Sequence, residues 1–198
     1  LTRNPLASSQ VLGINAGATL SVVIVMVFFP ALGYKTKILA SFLGAGFVGV
    51  TVQTIGRIRN LSPLKVTLVG ISIQLFLSSI TKFIMLFNDS KTSDLLFWMI
   101  GGVHHAQITH IVELLPCFII SILLIIKISN SMDTLKMGDA IAISLGENIK
   151  VIKSIATIVV ILLSSSSVAI AGPISFIGLI TPHIVIKLGA RNFRESFI

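Results

Sequence analysis

Cysteine is nearly absent: Cys117 is alone among 198 residues, so no disulfide can form within the chain, and its place in an apolar run reads as a small core residue. Charge is scarce as well, at 11% of residues, and only 7 of those charges are acidic against 15 basic. No G-x-x-x-x-G-K-[ST] loop occurs, so any ATP used by this protein must be hydrolysed by another polypeptide. An H-E-x-x-H zinc motif and a G-x-S-x-G elbow are missing too, which argues against an enzyme. No charged leader with a cleavage site is visible, and no signal peptide is expected. Internal repeats and low-complexity tracts are likewise lacking.

Apolar surface dominates instead. Hydrophobic residues make up 54% of the chain and the mean hydropathy is +1.01, more than a soluble domain can hide. Runs of roughly 20 apolar residues suffice to cross a bilayer. Such runs are read at residues 15–34, 36–55, 64–87, 108–128, 152–171 and 174–188. Residues 95–102 are too few to span and read as a half-helix or re-entrant turn. The expected fold is therefore all-α, a polytopic transmembrane bundle. Residues 171–183, AGPISFIGLITPH, interrupt an apolar run with Gly172, Pro173, Gly178 and Pro182. Proline removes a backbone donor and glycine loosens the helix, so a break at membrane depth survives only where neighbouring helices or a wet path satisfy the freed groups. That pattern suits a transporter.

The formal charge of +8 raises the question of nucleic acid, but its distribution excludes it. Arg3, Arg57, Arg59, Lys65, Lys127, Lys136, Lys150, Lys153, Lys187, Arg191 and Arg194 fall on one side of the six-span topology. Lys35, Lys37, Lys82 and Lys91 fall on or towards the other. The first side is then cytoplasmic by the positive-inside rule. The basic residues form loop clusters without interleaved aromatics, unlike a nucleic-acid surface.

Residues 129–150 read as the longest cytoplasmic loop and contain a short amphipathic pattern. Asp139 is placed to cap a helix of about two turns and Gly146 to stop it; Ala142 and Leu145 lie within it. A capped knob of this kind seats in a groove on a partner, or else rests on the membrane surface. Ser41, Ala45 and Gly49 recur every fourth residue and read as a close helix contact, since small side chains let backbones approach in lipid. Residues 164–167 are a four-serine run whose hydroxyls suit helix packing or a polar path lining. Gln53 and Gln74 are lone polar groups expected to face the bundle. His104, His105, His110 and Glu113 invite a metal reading, but only His110 and Glu113 share a helix face. No metal is assigned; a polar outer mouth fits better, with contact to a substrate or its binding protein as the alternative. Glu113, the acid nearest membrane depth, is worth testing on that ground.

Four segments in order carry a resemblance. They are NPLA with the following LG and Gly/Ala-rich stretch (Asn4 to Ala7, Leu12, Gly13, Asn15 to Ala18), W-x-x-G-G (Trp98, Gly101, Gly102), G-D-x-A-x-x-L-G (Gly138, Asp139, Leu145, Gly146), and the AGPI block ending in Pro182 and His183. Along almost its whole length the chain resembles the permease subunits of ABC importers for ferric siderophores, haem and vitamin B12, the FecCD-type permeases. The resemblance implies one transmembrane permease domain over residues 1–198, with further helices of the family on both sides. It implies a coupling segment at Gly138, Asp139, Ala142, Leu145 and Gly146 that docks on cytoplasmic ATPase subunits. A second permease subunit, identical or not, an extracytoplasmic substrate-binding protein, membrane lipid and an iron chelate are the other implied partners. This chain binds no cofactor of its own; ATP and magnesium belong to the ATPase. The implied location is the bacterial cytoplasmic membrane. Gly172, Pro173, Gly178, Pro182 and His183 fall on the translocation path or its helix break, and Gly101, Gly102, His110 and Glu113 at the outer mouth.

The sequence departs from the family at Ser175, where glycine is common, at Ile186, where arginine is usual, and at Leu188 and Gly189, a shortened L-V-G. These keep open a non-transporting remnant or scaffold. An ion-coupled secondary carrier would want more intramembrane acids than Glu113. An intramembrane serine protease would need a nucleophile turn that residues 164–167 lack.

Overall fold

The structure, a computed structural model, describes residues 10–58, 61–102, 108–174 and 177–187. Their elements are eight helices: α1 (Ile14–Phe28), α2 (Tyr34–Ile58), α3 (Pro63–Leu86), α4 (Asp89–Ile100), α5 (Ile108–Met137), α6 (Asp139–Ser144), α7 (Ile149–Ala171) and α8 (Ile177–Lys187). Among the described residues there is no strand, as the all-α expectation requires. Asn4 to Ala7, His104, His105, Ser175, Leu188 and Gly189 lie outside the described residues.

Four helices, α2, α3, α5 and α7, are long and apolar enough to cross a membrane. The six-span reading is corrected at its first span. α1 ends at Phe28, before Pro30, and is an apolar helix of 15 residues. α8, Ile177–Lys187, lies within the sixth expected span and runs through Gly178 and Pro182 as one helix, so the break expected at those two residues is not made there. Two other boundaries move as well. The half-helix expected at residues 95–102 begins earlier, at Asp89, and ends at Ile100. α5 runs on to Met137, so much of the loop expected at residues 129–150 is helix. Its residues 129–137 mix polar and apolar side chains, and hydropathy alone therefore ended the span too soon.

The core is a sandwich of α1 between α2, α3 and α7, with α5 laid chiefly against α7. Ile14, Ala18, Ala45 and Val168 form one buried cluster at the meeting of α1, α2 and α7. Val23, Val27, Met85 and Leu95 form a second, joining α1 to α3 and α4. Small residues set the spacing. A methyl group on Gly17 would overlap the backbone of Gly44, and one on Gly44 would overlap Ser21 and the Gly17 carbonyl. α1 and α2 therefore touch backbone to backbone, as small-xxx-small faces do in lipid. The opposite face of α2 presents Leu39, Leu43 and Phe47, all more than half exposed, a surface suited to lipid or to another helix. Pro116 sits inside α5, where it deletes one backbone donor.

Candidate functional site

The bundle has two chemically distinct ends. At one, the last turns of α2 meet the first turns of α7, and α6 hangs beneath them. Arg57 donates to the Lys150 carbonyl at 3.2 Å and to the Ser154 hydroxyl at 2.6 Å. One turn deeper, Gln53 donates to the Lys153 carbonyl at 3.3 Å and to the Thr157 hydroxyl at 3.1 Å. Lys153 in turn donates to Asp139 at 3.1 Å. A cavity of about 240 Å³ opens here, with Gly49, Gln53, Arg57, Asp139, Lys153 and Thr157 among its lining.

α6 is a short helix held between two glycines. Gly138 (φ +130°) is its N-cap and Gly146 (φ +83°) follows its C-cap, Leu145. Asp139 is thus not the cap that the sequence suggested. It is the first helical residue, and its carboxylate turns to Lys153 because that cation lies within reach. Gly146 acts one residue beyond the C-cap, donating its N–H to the Ile143 carbonyl. Ala142 is fully buried, whereas Ile141, Ile143 and Leu145 are 46%, 65% and 65% exposed. A second tie, from the Ser131 hydroxyl to Glu147 at 2.8 Å, fastens the end of the segment to α5. Sequence reading missed Ser131 and Glu147; both belong to strongly polar stretches in which no single residue stands out.

At the other end two broken helices meet. α4 stops at Gly101 (φ +76°) and α7 at Gly172 (φ +71°). The Gly102 N–H donates to the Ala171 carbonyl at 2.8 Å. A methyl group on Gly172 would run into the Trp98 carbonyl, and one on Gly101 would press on Ile174 at 3.1 Å. The W-x-x-G-G and AGPI segments are therefore one junction. Pro173 is half-buried beside it, while Gly178, Pro182 and His183 lie in α8, where Gly178 is exposed.

Beside this junction Tyr34 stacks on His110, ring centroids 3.6 Å apart and planes 16° from parallel. The Tyr34 hydroxyl donates to the Ala169 carbonyl at 3.3 Å. Glu113 is exposed on α5, three residues after His110 on the same helix face. The structure thus brings Gly101, Gly102, Gly172 and Pro173 together, and sets Tyr34 against His110. Among the described residues no three His, Cys, Asp or Glu side chains gather as a metal site would need.

Between the ends, Ser41 donates to the Ser165 carbonyl at 2.8 Å and is fully buried with Ala45. A methyl group on Gly49 would overlap Ile161. Within the serine run, the Ser165 hydroxyl donates to Ile161 and that of Ser166 to Leu162, each one turn back. Hydroxyls bonded to their own helix are packed groups rather than poised nucleophiles.

The two breaks joined at one end come from the W-x-x-G-G and AGPI segments, and the tethered short helix at the other from the G-D-x-A-x-x-L-G segment. Residues 1–198 match the model of the FecCD transport family. The chain belongs to that family. It is 40% identical over 194 residues to the Fe(3+)-citrate import system permease protein YfmD of Bacillus subtilis, covering 98% of this chain and 58% of that protein. It is 31% identical over 192 residues to the Fe(3+) dicitrate transport system permease protein FecC of Escherichia coli, covering 93% of this chain and 56% of that one. The chain accordingly spans little more than half the length of these curated relatives. Its fold is shared with a solved structure described as an inward-facing metal-chelate type ABC transporter, at a TM-score of 0.88 and 19% identity, over 98% of this chain and 63% of that one. A family member with four apolar helices of spanning length is a multi-pass membrane protein.

Proposed function

We propose that this chain is the core of a permease subunit that carries a ferric siderophore, ferric citrate or a related iron chelate inward across the bacterial cytoplasmic membrane. The supporting observation is α6, a capped short helix whose Ile141, Ile143 and Leu145 project from the end where Arg57, Lys150 and Lys153 collect. Basic residues mark a cytoplasmic face, and an exposed apolar knob there is shaped for a partner's groove.

In this reading the knob seats on a separate ATPase that holds ATP and magnesium. An extracytoplasmic binding protein delivers the chelate at the end carrying Gly101, Gly102 and His110, and a second permease subunit completes the path. Nucleotide shifts the permease between outward and inward states only if the ATPase binds the two states with different strength. α6 is where that difference enters. The broken junction at Gly101 and Gly172 gives the path backbone groups outside a helix, which are tolerated at depth only when buried in protein or facing water.

The test is affinity purification of the full-length protein from its native cells with mass spectrometry for an associated ATPase. The wild type is expected to bring down an ATPase that a Leu145→Asp, Gly146→Glu variant loses while still inserting in the membrane. Equal recovery by both, or no ATPase with either, defeats the reading.

A further inference from the structure

α6 is attached at both ends by backbone that only glycine adopts easily. Gly138 and Gly146 have positive φ, and a side chain on either would meet nothing within 4 Å. Glycines in open space leave the segment free to turn. Something else must fix its direction if a push on α6 is to reach the membrane helices. The side chains that do so on the α7 side form a continuous polar series: Asp139 to Lys153, then from the backbone and hydroxyls of α7 to Gln53 and Arg57 on α2. The cavity of about 240 Å³ lies at the same level, with Gln53, Arg57, Asp139, Lys153 and Thr157 in its lining, so the polar series borders open space.

We propose that Lys153, Gln53 and Arg57 are positioning residues that carry movement of α6 into α2 as well as α7, making the ends of the two helices move as one body. The proposal rests on the permease reading above. Lys153 holds α6 by its first residue, and the two α2 side chains hold α7 at i and i+4, one turn apart on a single face. Each bond spans two different helices, so none is needed to form any helix by itself. The Asp139–Lys153 pair is 45% and 33% exposed, and a pair so placed adds little to stability. Its geometric role is separable from folding for that reason.

The full-length permease, reconstituted in proteoliposomes with the ATPase and binding protein that co-purify with it, would be assayed for ferric citrate uptake and ATP hydrolysis together. Lys153→Met and Gln53→Leu are each expected to lower uptake per ATP at least about fivefold, the low end of ordinary coupling losses, with ATPase still bound and hydrolysing. Lys153→Arg, which keeps the charge and a donor, is expected to retain the wild-type ratio. Thr157→Val removes one of the two acceptors of Gln53, together with the bond of Thr157 back to the Lys153 carbonyl of its own helix, and gives a second route to the answer should Gln53→Leu misfold. A wild-type ratio in Lys153→Met together with Gln53→Leu or Thr157→Val overturns the linkage and leaves the permease reading standing. Absence of any ATPase with the wild type overturns the permease reading and the linkage with it.

Discussion

Gly102 gives its backbone N–H to the carbonyl of Ala171 at 2.8 Å, and this one bond joins the interrupted end of α4 to the interrupted end of α7. Both helices terminate on a glycine of positive φ, Gly101 and Gly172. A helix end in an apolar setting leaves carbonyls and amides without partners; here each break supplies part of what the other lacks. Gly172 has two separate reasons to be glycine, its left-handed backbone and the Trp98 carbonyl that occupies the place of a side chain.

Gly172→Ala is therefore expected to be much more harmful than Gly146→Ala. Both positions have positive φ, a backbone that costs a residue with a side chain about 1–3 kcal/mol. Only at Gly172 does the new methyl group also meet backbone, whereas at Gly146 it meets nothing within 4 Å. Thermal unfolding in detergent should show a modest shift for Gly146→Ala and a loss at least about twice as large for Gly172→Ala. Equal shifts would mean that the Trp98 contact is not made.

The α1–α2 contact offers a similar comparison within one helix. Gly44→Ala places a methyl group against Ser21 and the Gly17 carbonyl, while Gly46→Ala, half a turn away, meets open space. In a helix interior alanine is favoured over glycine by roughly 0.8–1 kcal/mol, so Gly46→Ala should hold or raise the melting temperature. Gly44→Ala forces the helices apart, and overpacking of this kind typically costs about 1–3 kcal/mol. A melting temperature for Gly44→Ala at or above that of Gly46→Ala would contradict the close approach.

Much of this architecture is legible in the sequence, and what is not has identifiable causes. Apolar runs reveal α2, α3, α5 and α7 because a bilayer imposes a minimum length; the four-residue spacing of Ser41, Ala45 and Gly49 lies on the face of α2 that is buried against α1 and α7. The Gly17–Gly44 contact has a matching signal in the sequence, since Gly17 and Ser21 of α1 continue the four-residue spacing from its N-cap, Gly13. Hydropathy misjudged α1, since an apolar run says nothing of where a helix stops ahead of Pro30, and the expected break at Gly178 and Pro182 is absent because α8 runs through both. Side-chain partners are the least legible. Asp139 looked like a cap from its local sequence, and only the fold places Lys153 beside it. Ser41 has a partner whose position no spacing rule reveals, because Ser165 lies in a separate helix.

Ser41→Ala tests that bond. Hydrogen bonds between membrane helices average about 0.6 kcal/mol, with a maximum near 1.7, and the Ser165 carbonyl is a helix carbonyl that keeps its place in the ladder. A small drop in thermal stability is expected from Ser41→Ala. Ser41→Leu should be far worse, as the site is fully buried against α7. If the two substitutions were equally mild, α2 and α7 would have to be further apart than the 2.8 Å bond allows.

Tyr34 and His110 hold the opposite end of the bundle together, and their roles separate cleanly by substitution. Tyr34→Phe keeps the ring that stacks on His110 at 3.6 Å and removes only the 3.3 Å bond to Ala169. His110→Ala removes the stack and leaves that bond. Aromatic pairs contribute about 0.5–1.5 kcal/mol beyond the area they bury, and here the pair ties the start of α5 to the start of α2. Hydrogen exchange in detergent micelles should therefore show the first turns of α5 losing protection in His110→Ala, with Tyr34→Phe close to the wild type. The reverse order would place the weight on the hydroxyl and Ala169, so that α7, rather than α5, is what Tyr34 secures.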